Sequence, residues 1–205
     1  MTFSPVAFAM MTIAGLLTGC SPVTHYYTLS QVESVVPREA RPAAPSALVG
    51  IGPVELPDYV NIPQIVVRTG ANTLDQATFD QWGGSLDDMV PRVLVDDLAT
   101  RLPADHFVMF PQSGDLAFDY RVPVLISQFD VSSAGEAVVS ARWQVRGKAG
   151  SGLVVVRETS ARAQADGPSY QARVAALSKA VALLADDIAK TLAPLPRGDG
   201  KPRKK

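Results

Sequence analysis

The sequence predicts an α+β fold: a mostly antiparallel β-sheet with two packed α-helices, in a single domain. Three observations carry that reading. Tyr120, Val122, Val124 and Ile126, and again Val139, Ala141, Trp143 and Val145, fall at every second position, the period of a strand. Leu86, Val90, Val93, Leu94, Leu98 and Leu102 fall at helical spacing, as do Val174, Leu177, Val181, Leu184, Ile188 and Leu192. Hydrophobic residues make up 47% of the 205 residues and charged ones 19%, enough apolar side chain for one core without a covalent staple. The single cysteine excludes an internal disulfide in any case.

Taken in order, the chain opens on a nearly unbroken apolar run, Val6 to Leu17, with no charge in residues 1–19. Spanning a bilayer takes about 20 apolar residues, so the run has the length of a signal-peptide core instead. It ends in Leu17-Thr18-Gly19-Cys20, the lipobox pattern of an aliphatic residue, two small residues and a cysteine. The thiol of Cys20 accepts diacylglycerol, the small residues admit the peptidase, and the freed amine takes a further acyl chain. Residues 1–19 therefore read as a signal peptide and 20–25 as a lipidated tether. Two or three chains anchor firmly, at about 0.8 kcal/mol per buried CH₂. Ser21 at the next position, where an inner-membrane retention signal would be Asp, points to the periplasmic face of the outer membrane.

His25 to Leu29 reads as a first strand, only about five residues from Cys20. At most ~3.5 Å per residue, the tether reaches under ~20 Å and keeps the body close to the membrane. Pro37, Pro42 and Pro45 mark residues 31–46 as a loop. Ala47–Val54, broken at Pro53, Gln64–Thr69 and Thr73–Phe79 read as three more strands. A helix follows Trp82-Gly83-Gly84, with Asp88 as its cap so that Pro91 falls in the first turn, where no amide partner is needed. Pro103 ends it. His106–Phe110 is a short strand. The alternating segments from Tyr120 and Val139, with Leu153–Ala163 after a Gly147–Gly152 turn, form an antiparallel meander. The last helix starts near Gly167-Pro168-Ser169, docks its stripe on the sheet, and stops at Pro194 and Pro196. Residues 26–194 form the domain, and 195–205 a basic disordered tail.

No catalytic constellation emerges. His25 and His106 lack partners at metal-ligand spacing, there is no nucleophile elbow or phosphate-cradling glycine loop, and the lone thiol is committed to lipid. The pairs Asp87-Asp88, Asp96-Asp97 and Asp186-Asp187 point about 100° apart on helices and read as solvated faces. Arg142 and Arg146 alternate along one strand, as a wet sheet face or a contact for an anionic partner. A formal net charge of −1 gives no pull toward nucleic acid.

One segment stands out. Gly52-Pro53-Val54-Glu55-Leu56-Pro57-Asp58-Tyr59-Val60-Asn61-Ile62-Pro63-Gln64-Ile65-Val66-Val67-Arg68 joins two strands through three prolines and an aromatic residue. It resembles the hallmark of the PqiC-type family, the ABC-type transport auxiliary lipoproteins, which is roughly Pro-x-x-Leu-Pro-x-Tyr-Leu-x-Arg-Pro-Gln-Ile-Val-x-Arg. Pro53, Leu56, Pro57, Tyr59, Pro63, Gln64, Ile65, Val66 and Arg68 match, while Ile62 replaces the usual arginine. Tyr26-Tyr27-Thr28-Leu29, Trp82, Leu86, Phe129 and Trp143 match further on; Gly83-Gly84-Ser85 replaces a more helical run. The resemblance implies an accessory lipoprotein of a lipid-trafficking ABC or MCE system. On that resemblance it is expected to dock the periplasmic MCE-domain tunnel at the outer membrane and to support the envelope barrier, with a homo-oligomeric ring as one arrangement open to it. It needs no cofactor beyond the lipid on Cys20 and performs no catalysis. The expected partner surface is Leu56, Pro57, Tyr59, Pro63, Gln64 and Arg68. The rival reading is a lipid or lipoprotein carrier with its own apolar cavity.

Overall fold

β6, Tyr120–Ser132, is the strand around which the rest is arranged. In this computed structural model, residues 23–33, 46–111, 116–148 and 152–197 are described. The lipobox residues Leu17, Thr18, Gly19 and Cys20 lie outside them, as do the loop 34–45 and residues 198–205 of the tail. The other elements are β1 His25–Tyr27, β2 Leu48–Glu55, a 3₁₀ turn Asp58–Val60, β3 Gln64–Gly70, β4 Thr73–Trp82, α1 Leu86–Arg101, β5 His106–Met109, β7 Glu136–Gly147, β8 Leu153–Gln164 and α2 Tyr170–Leu192.

One edge of β6 carries the meander β6-β7-β8, antiparallel throughout as expected. The other edge is shared. β2 runs parallel to its first half, pairing Val49 with Tyr120 and Glu55 with Leu125, and β5 adds outside β2. β3 runs parallel to its second half, pairing Val67 with Val131, and carries β4 and then β1 beyond it. The sheet is thus mixed rather than purely antiparallel. Hairpins leave a local signature of two alternating runs around a short turn. Parallel pairs join strands distant in sequence, and nothing local announces them.

β2 is not broken at Pro53. It continues to Glu55 through a bulge, where the register with β6 gains one residue between Ile51 and Val54. A bulge is where a residue without an amide hydrogen is tolerated inside a sheet.

Both helices pack on one face. The α2 stripe, Val174 through Leu192, is buried against β7 and β8. The cap of α1 is Ser85, not Asp88: its Oγ accepts the Asp87 amide at 3.2 Å. Pro91 is therefore the sixth helical residue. The carbonyl it leaves without an amide belongs to exposed Asp87, where water can serve it.

The acidic pairs are not all solvated. Asp96 is exposed but Asp97 is fully buried between the helices, because a 100° step along α1 turns one member of the pair inward. Its Oδ1 accepts the Val32 amide at 3.0 Å and Arg101 Nη1 at 3.3 Å, while Oδ2 has no partner among the described residues. Arg101 also pairs with Asp186 of α2. Burial pushes the Asp97 carboxyl up from 3.8 to about 6, and the hydrogen bonds from Val32 and Arg101 offset only part of that. The sign follows directly. A carboxyl raised in the folded state favours folding when protonated, and that advantage disappears as pH rises through about 6. Relative to Asp97→Asn, the wild type should gain on the order of 2–3 kcal/mol between pH 7 and pH 4 in urea titrations. Parallel pH curves for the two proteins would remove Asp97 as the cause.

Candidate functional site

The shared edge of β6 creates a gap. From Leu125 to Val131 β6 advances six residues, while the neighbouring chain advances twelve, from Glu55 to Val67. The excess is the proline-rich crossover. Pro57 holds an extended φ of −70° before the 3₁₀ turn, and Leu56 folds against the core. A strand segment without a neighbour leaves backbone groups unpaired, and buried ones must find partners. Tyr59 supplies one: its hydroxyl accepts the Phe129 amide of β6 at 3.0 Å.

The same hydroxyl donates to Asp130 Oδ2 at 2.8 Å. Asp130, with a side chain only 1% exposed, also receives Arg68 through Nη2 at 2.6 Å and Nε at 3.1 Å, and Gln128 Nε2 at 3.0 Å. Arg68 lies 5.9 Å from the centre of the Tyr59 ring. Burial alone would raise the Asp130 carboxyl, but the donors Arg68, Gln128 and Tyr59 outweigh it and hold the group below its ordinary value. Burial, with the acceptor Asp130, raises the Tyr59 phenol. Arg68 is raised by its hydrogen bonds to Asp130. The carboxylate is ionised and the phenol neutral at any physiological pH, so the cluster does not transfer protons. It is a latch that ties the crossover and β3 to β6.

The motif residues therefore separate into two groups. Tyr59 and Arg68 meet at Asp130. Leu56 and Pro57 shape the crossover, and Gln64 opens β3 opposite Gln81. Pro63 is exposed, and its carbonyl accepts the Trp82 amide at 2.7 Å. That bond joins the crossover to a groove of about 550 Å³, lined by Tyr26, Asn61, Ile62, Pro63 and the stretch Trp82 to Leu86. The floor is firm: Trp82 packs on Phe129 with ring centres 6.5 Å apart. Gly84 faces open space, so a Cβ added there would meet nothing within 4 Å. Segments separated in sequence, each carrying part of the resemblance, meet at this groove.

Asp130 and Gln128 were not among the expected residues. The signal was present: a lone carboxylate in Phe129-Asp130-Val131 sits in an apolar run, and a buried charge requires a cation. A register shift in β6 between Ile126 and Gln128 puts Phe129 and Val131, rather than Asp130, in phase with Val122, Val124 and Ile126. Trp143, by contrast, is a core residue whose indole donates to Thr159 at 2.9 Å. Among the described residues no group of three or more His, Cys, Asp or Glu is placed to hold a metal ion. No described helix is long and apolar enough to cross a membrane.

The ABC-type transport auxiliary lipoprotein component family matches residues 27–189, which include the latch and most of the groove. The chain belongs to that family. As an auxiliary lipoprotein, it is 30% identical over 138 residues to the intermembrane transport lipoprotein PqiC of Escherichia coli K12, covering 65% of this chain and 71% of that one. The PqiC of Shigella flexneri matches to the same extent. The fold of the auxiliary lipoprotein recurs in an uncharacterized crystal structure with a TM-score of 0.69, at 21% identity, covering 83% of this chain and 99% of that one. It recurs also in a Xanthomonas campestris protein with a TM-score of 0.65, at 16% identity, covering 82% and 94%.

Proposed function

We propose that this auxiliary lipoprotein is held by lipid on Cys20 at the periplasmic face of the outer membrane. There it docks the MCE-domain protein of a lipid transport system and so supports envelope integrity. The observation that carries the reading is the convergence of Tyr26, Pro63, Trp82 and Leu86 on one open groove beside the first strand. The relatives named as intermembrane transport lipoproteins support the transport setting. The latch supports the docking role differently. It spends Tyr59 and Arg68 on rigidity, which presents Asn61, Ile62 and Pro63 at the rim in one conformation. A rigid rim lowers the ordering cost of binding. The carrier reading requires room between sheet and helices. That space is filled by Phe129, Trp143, Leu177, Leu184 and Ile188, all fully buried.

Two experiments test the proposal. In the native envelope, a tagged wild-type chain should recover an MCE-domain protein after crosslinking, and Gly84→Trp should lose it while melting normally. Recovery of no envelope partner, or equal recovery by the variant, would sink the docking role. Separately, Cys20→Ser should leave salt-washed membranes and appear in the soluble fraction. Persistence of the serine variant on washed membranes would refute the lipid tether.

A further inference from the structure

The sheet face away from the helices treats its two alternating arginines on β7 differently. Arg142 donates to Glu158 of β8 from Nε at 2.8 Å and Nη2 at 2.6 Å. Arg146, four residues later on the same face, stands directly opposite Arg121 of β6. Its side chain makes no hydrogen bond or ion pair among the described residues. Like charges directly opposite in an antiparallel pair destabilise a sheet. Among the described residues Arg121 gains no counter-charge either. Its guanidinium lies 5.4 Å from the centre of the Phe110 ring, which fixes its position without neutralising it.

The two guanidiniums do not stand on an open surface. With Lys148, Gln144, Gly147 and Leu153 they line a groove of about 310 Å³ at the end of the meander. Lys148 Nζ lies 3.8 Å from Asp119 Oδ1. The second Asp119 oxygen accepts the Leu48 amide at 3.0 Å, so this carboxylate is turned toward β2, and neither arginine has an ion-pair partner among the described residues. Folding offers no reason for this pairing, since a neutral polar residue at either position would remove the repulsion and keep the strand wet.

We infer that this groove binds a phosphate group, with Arg121 and Arg146 as its two forks. Planar guanidiniums match tetrahedral oxyanions through paired N–H donors, and two of them suit phosphate better than a single carboxylate. Gln144 adds an amide donor. The position of the groove narrows the source. Through β4 and β3, His25 of β1 lies level with Phe129 of β6. Arg121 is eight residues from Phe129, about 26 Å along the strand. The site therefore lies toward the end of the sheet remote from the first strand, where a tether under ~20 Å long begins. Reading the phosphate as a transported headgroup rests on the proposed function; the binding itself does not.

Calorimetry on the full-length chain in nonionic detergent tests it, with inorganic phosphate and short-chain phosphatidylglycerol and phosphatidylcholine as probes. Phosphate should bind saturably, and Arg146→Gln should weaken it about tenfold. Arg142→Gln, which removes the same charge from the same strand, should stay within about twofold. Binding of phosphatidylglycerol as well identifies a lipid headgroup, and phosphate alone a free phosphate-bearing ligand; either supports the site. Equal losses in the two variants would reduce it to general charge attraction, and no saturable binding of any probe would overturn it. Recovery of the MCE-domain protein, which reads the other groove, should be unchanged in Arg146→Gln.

Discussion

Arg68→Ala should lower stability by about 3 kcal/mol, among the largest effects of any single polar substitution in this chain. The cost is not the loss of an attractive surface pair. Asp130 is buried to within 1% of its side-chain surface, and the variant leaves it with Tyr59 and Gln128 as its side-chain donors. For a domain of this size the melting temperature should drop by roughly 10 °C. Arg68→Lys should recover part of that only, because an ammonium cannot reproduce the paired contacts of Nε and Nη2. Removing Arg68 and Asp130 together should cost less than the two single losses summed, since no charge is then stranded. The pH dependence gives an independent check. The Asp130 carboxyl is held below its ordinary value, so its contribution is present above the usual carboxylate range and is lost as pH falls through its depressed value. The wild type should therefore lose stability on acidification relative to Arg68→Ala, whose deficit narrows as pH falls. This is opposite in sign to the acid gain at Asp97, and the two are separable by their variants. A stability change in Arg68→Ala below about 0.5 kcal/mol would show that the crossover is held by something other than the latch.

Gly52→Ala should be as damaging or worse, at about 3 kcal/mol or more. Gly52 sits in the β2 bulge at φ +122°, a region that side-chain-bearing residues avoid, and an added Cβ would lie 2.1 Å from the Phe110 carbonyl oxygen. Neither side can yield easily, because the Phe110 amide is itself bonded to the Ile51 carbonyl at 2.7 Å. Gly50→Ala, two residues earlier, meets only the Phe118 ring and Phe110 Cβ at 3.1–3.4 Å, and should cost distinctly less. Circular dichroism melts of the pair decide the matter: equal losses would mean that the strained backbone at Gly52 is not the cause.

Both predictions concern the segment that sequence comparison singles out, and both assign its residues to shape. Tyr59 and Arg68 were expected as partner contacts, yet their polar atoms are occupied within the protein. Pro63, Ile62 and Asn61 remain at the surface of the groove. A recognisable motif can thus mark the rigid support of a surface as well as the surface itself. The latch partner escaped notice because Asp130 lies 62 residues from Arg68 and 71 from Tyr59 in the chain. The groove escaped notice because its walls come from three places in the chain, joined only through β1–β4 and β3–β4 pairing.

What the order of residues determined alone was local. Period-two and helical spacing located the meander and both helices, since each depends on neighbours within a few positions. The lipobox and the chain's single thiol likewise belong to a contiguous stretch. Only the tertiary structure decided which strands run parallel, which member of Asp96-Asp97 is buried, and that Arg142 is paired while Arg146 confronts Arg121. Those outcomes depend on groups far apart in the chain, whose charges and unpaired amides interact only after the backbone has brought them within a few ångströms.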